Sequence, residues 1–169
     1  MKIYIIGPSG GGKTTLANHL SKKYNIPTYE LDCVVYDDDH GNVRRSDEEI
    51  QKIFKGIIRK KDWIIEDIGR DKFNEGLEKC DTIYYLKISQ WVVYGRVIRR
   101  WFRQRIGKEK YNYPPTILQF FDMLRVAIGY FTVEKKKLAK LNNYKDKLVF
   151  IKNKELQNIL RESNENEWY

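Results

Sequence analysis

Five short apolar runs alternate along the chain with longer stretches in which apolar residues recur every three or four positions. Short apolar runs bounded by turn residues read as strands buried on both faces, and the recurring spacing reads as helices packed through one side. The strands expected are Lys2–Ile6, Thr28–Leu31, Trp63–Glu66, Thr82–Ile88 and Lys147–Ile151. Helices are expected over Lys13–Tyr24, Ser46–Lys60, Lys72–Lys79, Gln90–Ile106, Thr116–Leu141 and Lys154–Arg161. Ser46 followed by Glu49 forms a capping box that starts the second of these helices. Pro114-Pro115 closes the segment after the fourth, with Pro115 or Thr116 near the start of the next. Strands alternating with helices predict an α/β fold with a parallel sheet covered on both faces.

The first strand runs directly into Gly7-Pro8-Ser9-Gly10-Gly11-Gly12-Lys13-Thr14, followed by Thr15. This is the pattern G-x-x-x-x-G-K-[ST], set between a strand and a helix where its chemistry needs it. Glycines let the loop wrap a phosphate so that backbone N–H groups point at its oxygens. Lys13 then reaches the β- and γ-phosphates, and the Thr14 hydroxyl is the expected Mg²⁺ ligand. The helix that follows adds the positive end of its dipole. The expectation is a nucleoside triphosphate, ATP, with Mg²⁺, on a P-loop NTPase three-layer α/β/α fold. Its five-stranded parallel sheet should run in the order 2-3-1-4-5.

A chain of 169 residues, 41% hydrophobic and 33% charged, fits one globular domain over 1–169. No apolar run approaches the ~20 residues that span a bilayer, so a cytoplasmic protein with no membrane partner is expected. Cys33 and Cys80 lack metal-like spacing and read as two buried thiols. The net charge is +9, and residues 96–110 carry seven cations against Glu109 alone. That stretch lies where phosphate-facing arginines are expected, and residues 100–116 suggest a basic lid or insert. A second basic stretch, Lys135, Lys136, Lys137 and Lys140, reads as a solvated helix face. The polar loop from Asp37 to Arg45 suits a substrate rim, its aspartates solvated rather than metal-binding.

Chemistry beyond the loop centres on Glu66-Asp67-Ile68-Gly69-Arg70. A buried strand ends there in two carboxylates at the carboxyl edge of the sheet, where ligands bind in open α/β folds. Glu66 or Asp67 suits Mg²⁺ held through water, and Arg70 suits an acceptor's phosphate or carboxylate. Arg96, Arg99/Arg100 and Arg103 repeat at helical spacing and form one stripe. Asp32, at the end of the second strand, is a candidate substrate-hydroxyl contact or general base. The base-reading segment Asn-Lys-x-Asp of the usual GTPases is absent from the sequence.

Glu66 and Arg70 match the first and last positions of the Asp-Gly-Phe-Pro-Arg segment of adenylate-kinase-like proteins, which this chain resembles. Arg96-Val97-Ile98-Arg99-Arg100 is similar to their Arg-x-x-x-Arg pair. The resemblance implies that Arg70 grips the acceptor phosphate, Arg96 packs on the base and Arg100 contacts phosphates. Shikimate-kinase-like and nucleoside-kinase-like relatives carry an aspartate near Asp32, which implies a role at the acceptor or the metal shell. Leu31-Asp32, Trp63–Glu66 with Arg70, and Trp91–Arg96 look like the bacterial topology modulation protein family.

The leading expectation is an ATP- and Mg²⁺-dependent phosphotransferase for a small acceptor, such as a nucleotide or nucleoside. Lys13, Asp32, Arg96 and Arg100 would be catalytic, Gly7–Thr15 with Arg96 would bind the nucleotide, and Asp32 with Arg70 the acceptor. Thr14 would bind the metal directly and Glu66 through water. The alternatives are an ATP-switched nucleic-acid-binding regulator, suggested by the basic stripe with Trp101, Phe102, Tyr111 and Tyr113, and a simple nucleotide hydrolase.

Overall fold

A computed structural model describes residues 1–37, 43–108 and 116–165. In chain order the elements begin with β1 (Lys2–Ile6), α1 (Lys13–Tyr24), β2 (Thr28–Glu30) and α2 (Leu31–Val35). A two-strand hairpin, β3 (Tyr36–Asp37) with β4 (Val43–Arg44), precedes α3 (Asp47–Ile58) and β5 (Trp63–Asp67). Then come a 3₁₀ turn (Asp71–Phe73), α4 (Asn74–Lys79), β6 (Thr82–Lys87) and α5 (Gln90–Arg105). The chain continues with α6 (Ile117–Thr132), α7 (Glu134–Leu141), a second 3₁₀ segment (Asn142–Lys147), β7 (Leu148–Lys152) and α8 (Asn153–Glu165).

Five parallel strands form one sheet in the order β2-β5-β1-β6-β7. Counting those five alone gives 2-3-1-4-5, the expected order. Alternate residues of β1 supply two separate cores, as a strand buried on both faces must. Tyr4 and Ile6 pack with Val34, Phe54, Leu77 and Leu141 on one face. Ile3 and Ile5 pack with Leu16, Val93, Ala127 and Leu156 on the other. So α2, α3, α4 and α7 cover one side and α1, α5, α6 and α8 the opposite side. The chain has the α/β fold of P-loop NTPases.

The capping box forms as expected: Glu49 N–H donates to Ser46 Oγ at 3.2 Å, and Ser46 N–H donates to Glu49 Oε2 at 3.0 Å. Four expectations need correction. The second strand stops at Glu30, and Asp32 lies in the first turn of α2 rather than at a strand end. The helix expected over Thr116–Leu141 breaks at Val133 (φ −106°, ψ 3°), giving α6 and α7. Two successive β-branched residues sit at that break, and Thr132 Oγ1 donates back to the Gly129 carbonyl at 2.8 Å. Cys80 is buried but Cys33 is exposed, because it follows Asp32 on the outer side of α2. The second basic stretch is not wholly solvated: Lys137 and Lys140 are half-buried, and both turn back onto the segment after β5. The Pro114-Pro115 boundary and the tip of the 37–45 loop lie outside the described residues, as do residues 109–115 of the expected lid.

Candidate functional site

β1 delivers the chain to the carboxyl edge of the sheet, and the loop after it turns back into α1. Gly10 (φ 74°) and Gly12 (φ 98°) hold left-handed conformations that a side chain would strain. Gly12 is also the N-cap of α1, with no side-chain cap bond and no acidic residue in the first turn. The first N–H groups of the helix therefore face the loop with the positive end of the dipole, which makes an anion site. Lys13 folds back over the loop, and its ammonium donates to the Pro8 carbonyl at 3.2 Å. Burial lowers its pKa, opposed by Glu66, Asp32 and Asp67.

Beside the loop, β5 ends in Glu66 and Asp67, both buried. Thr14 donates its hydroxyl to Glu66 Oε2 at 3.1 Å, while Glu66 Oε1 is buried without a hydrogen-bond partner among the described residues. Burial raises the Glu66 pKa to about 7, with Glu30 adding to the rise. Glu30 stands opposite Glu66 in register on β2. A threonine that donates to a carboxylate keeps its lone pairs for a cation, and the orphaned Oε1 is an acceptor with nothing to accept from. These all-oxygen donors fit a hard cation such as Mg²⁺, which keeps most of its waters and relies on phosphate oxygens. Among the described residues no group of three or more His, Cys, Asp or Glu offers a protein-only metal cage.

Asp67 has a different task from Glu66. Its Oδ2 accepts from the backbone N–H groups of Gly69 and Arg70 at 2.8 and 2.6 Å, which shapes the turn after β5. Its Oδ1 accepts from Arg70 Nη1 at 2.6 Å, and Arg70 Nη2 donates on to Asp32. Burial opposes the charge on Arg70, but Asp67 and Asp32 outweigh it and raise the pKa. The guanidinium is thus held rigidly at the sheet edge between one buried and one exposed carboxylate.

Arg96 reaches the loop from α5. Nη1 donates to the carbonyls of Gly11 at 2.9 Å and Gly10 at 3.4 Å, and Nη2 donates to Asn153 Oδ1 at 2.6 Å at the start of α8. Burial lowers its pKa. Arg96 thus braces the phosphate loop at Gly10 and Gly11. Arg99, Arg100 and Arg103 are exposed farther along α5, whereas Arg96 is half-buried against the loop, so the expected stripe is not uniform in its burial.

Sequence reasoning missed Lys137, whose ammonium donates to the Ile68 carbonyl at 2.5 Å and lies 4.1 Å from the Tyr130 ring centroid. Leu138 and Leu141 mark the inward stripe of α7, and Lys137 stands beside Leu138 one turn before Leu141, which was the available signal. Asn153 and the bracket made by Asp67 were also missed, since their partners are far away or depend on turn geometry.

Comparison with known proteins bears on the fold. The model of the ATPase family associated with various cellular activities (AAA) matches residues 3–68, from β1 to the first residue after β5. A shikimate kinase from Bacteroides thetaiotaomicron superposes with TM-score 0.56 at 16% identity, covering 100% of this chain and 99% of that one. A gluconokinase from Sinorhizobium meliloti 1021 gives 0.52 at 14%, over 99% and 95%. A shikimate kinase from Acinetobacter baumannii in complex with shikimate gives 0.57 at 16%, over 99% and 95%. No curated protein matches the chain. Fold and loop together define a P-loop protein whose whole length follows the α/β scaffold of these small kinases.

Proposed function

We propose that the chain is an ATP- and Mg²⁺-dependent phosphotransferase acting on a small acceptor, with residues 1–169 as one catalytic domain. The observation that carries this reading is the convergence of two cationic groups on one sheet edge. Lys13 and the open N-terminus of α1 stand on one side, and Arg70, held by Asp67 and Asp32, stands on the other. A hydrolase needs the first group alone; the second suits an acceptor that carries a phosphate or carboxylate.

In this reading Gly7–Thr15 binds the triphosphate, Thr14 holds the metal directly and Glu66 holds it through water. The metal, when bound, neutralises charge on the phosphate oxygens. Lys13 stabilises charge on the transferring group, Arg70 orients the acceptor, and Asp32 accepts the proton of its hydroxyl. Arg96 binds the nucleotide by keeping the loop in shape, and Arg100 contacts phosphates from α5. Positioning and fixed charge are what phosphoryl transfer mainly requires. The solved kinases of the same fold support the reading, and the resemblance to the topology modulation family is compatible with it.

The test is ADP release with ATP–Mg²⁺ across a panel of hydroxyl acceptors. Acceptor-dependent release that Arg70→Ala abolishes is the expected result. Acceptor-independent release untouched by Arg70→Ala would replace transfer with hydrolysis.

A further inference from the structure

Lys137 is the cation at this edge that the phosphotransferase reading leaves unused. Its place beside the inward stripe of α7 brings the ammonium to the turn after β5, next to Arg70 and on the side of the loop that carries Ser9. The ring beneath it is fixed, because Tyr130 Oη donates to Tyr85 Oη at 3.1 Å and Tyr85 Oη donates to Glu134 Oε1 at 2.9 Å. An ammonium has three donors, and the described contacts give one of them to protein, the bond to Ile68.

The ammonium borders a cavity of about 190 Å³. Val126, Tyr130 and Val133 supply apolar lining, and Ser9 from the phosphate loop lines it together with Lys137. Burial lowers the Lys137 pKa, Asp67 opposes this, and Arg70 and Lys13 add to the lowering. The three cations therefore sense one another, while Asp67 is already engaged by Arg70 and two backbone amides. A bound anion would relieve that repulsion.

We propose that Lys137 anchors the acceptor, and that the acceptor is a compact hydroxylated anion. Its carboxylate or phosphate sits on the ammonium, and its body sits against Val126, Tyr130 and Val133. The inference rests on the phosphotransferase reading and narrows its substrate class. Size supports compactness: at about 190 Å³ the cavity lies below the ~300 Å³ at which pockets for drug-sized ligands begin. A nucleoside monophosphate would have to extend beyond that space, which favours a compact acceptor over the nucleotide expected from sequence.

The test measures binding to the full chain by calorimetry, with a nonhydrolysable ATP analogue and Mg²⁺ bound. The carboxylate probes are shikimate and gluconate, the phosphate probes glycerol 3-phosphate and fructose 6-phosphate, the nucleotide probes AMP and CMP, and the neutral probes myo-inositol and glucose. The expected result is binding by at least one compact anion, weakened about tenfold or more in Lys137→Ala and partly restored in Lys137→Arg. Lys136→Ala, on the outer face, should leave it unchanged, and affinity for the ATP analogue should stay within about twofold in every variant. Whether the carboxylate or the phosphate arm binds identifies the anion. Preference for neutral or nucleotide probes, anion binding indifferent to Lys137, or no anion binding would overturn the inference while leaving the nucleotide site intact. Failure of the ATP analogue to bind would instead remove the underlying phosphotransferase reading.

Discussion

The Thr14 hydroxyl donates to Glu66 Oε2 at 3.1 Å, joining the first turn of α1 to the end of β5 across 52 residues of chain. This bond couples the two walls of the donor site, and it has a pH signature. Burial, reinforced by Glu30, lifts the Glu66 pKa from 4.5 to about 7. An acid whose folded pKa exceeds its unfolded value keeps its proton longer in the native state. Its contribution is therefore full below about pH 4.5 and is lost as pH rises through about 7. A gap of that size corresponds to at most about 3 kcal/mol. Protein in chelator, without nucleotide, should melt at lower temperature as pH climbs through this window, and Glu66→Gln should flatten the slope. An unchanged slope in Glu66→Gln would locate the titration elsewhere.

Lys13→Ala should reduce ATP turnover by about 10² or more, the scale seen when one preorganised donor is removed from a developing charge. Its melting temperature should not fall, since burial already disfavours the charged amine that the substitution removes. Wild-type turnover in this variant would falsify the placement of the lysine on the reacting phosphates.

Asp32 and Asp67 share Arg70 but their two ion pairs should contribute unequally to stability. The Asp67 side chain is 0% exposed and the Asp32 side chain 61% exposed. Losing Arg70 leaves Asp67 with its two backbone donors but without the charge bonded to it, Lys13 and Lys137 acting on it without a hydrogen bond, a cost of about 2 kcal/mol. Removing Asp32 from a solvated pair should cost less than about 1 kcal/mol. So Asp32→Asn should lower kcat with almost no change in denaturation midpoint, and Arg70→Ala should lower both. A large stability loss in Asp32→Asn would make that residue structural.

What was legible in the sequence was local. The β1 run, the phosphate loop and the Ser46–Glu49 cap are each written in contiguous residues, and each formed as expected. The sheet order 2-3-1-4-5 came with the fold that the phosphate loop implied, and the observed order matches it. Side-chain direction was less legible. Asp32 was assigned to a strand end because a five-residue helix has too few turns to show a period. Lys137 stood among three other lysines, and its inward aim depended on where α7 begins, which the break at Val133 decides. Arg96 carried the right spacing, but its partners lie 85 and 57 residues away in the chain, and nothing local announces them.

Those distant partners make the last prediction. Arg96 spans from the Gly11 carbonyl to Asn153, so the loop is braced against the start of α8 through one guanidinium. If that brace shapes the loop, Arg96→Ala and Asn153→Ala should each raise the KM for ATP, by about tenfold and about threefold. The double variant should be no worse than Arg96→Ala, because residues in one hydrogen-bond network are not additive. Arg96→Lys should fail to rescue, since a single ammonium cannot serve two carbonyls and an amide in the plane of a fork. A guanidinium acting only through its charge would behave otherwise: lysine would restore most of the affinity, and Asn153→Ala would be silent. The KM values of these four variants therefore separate a brace from a charge.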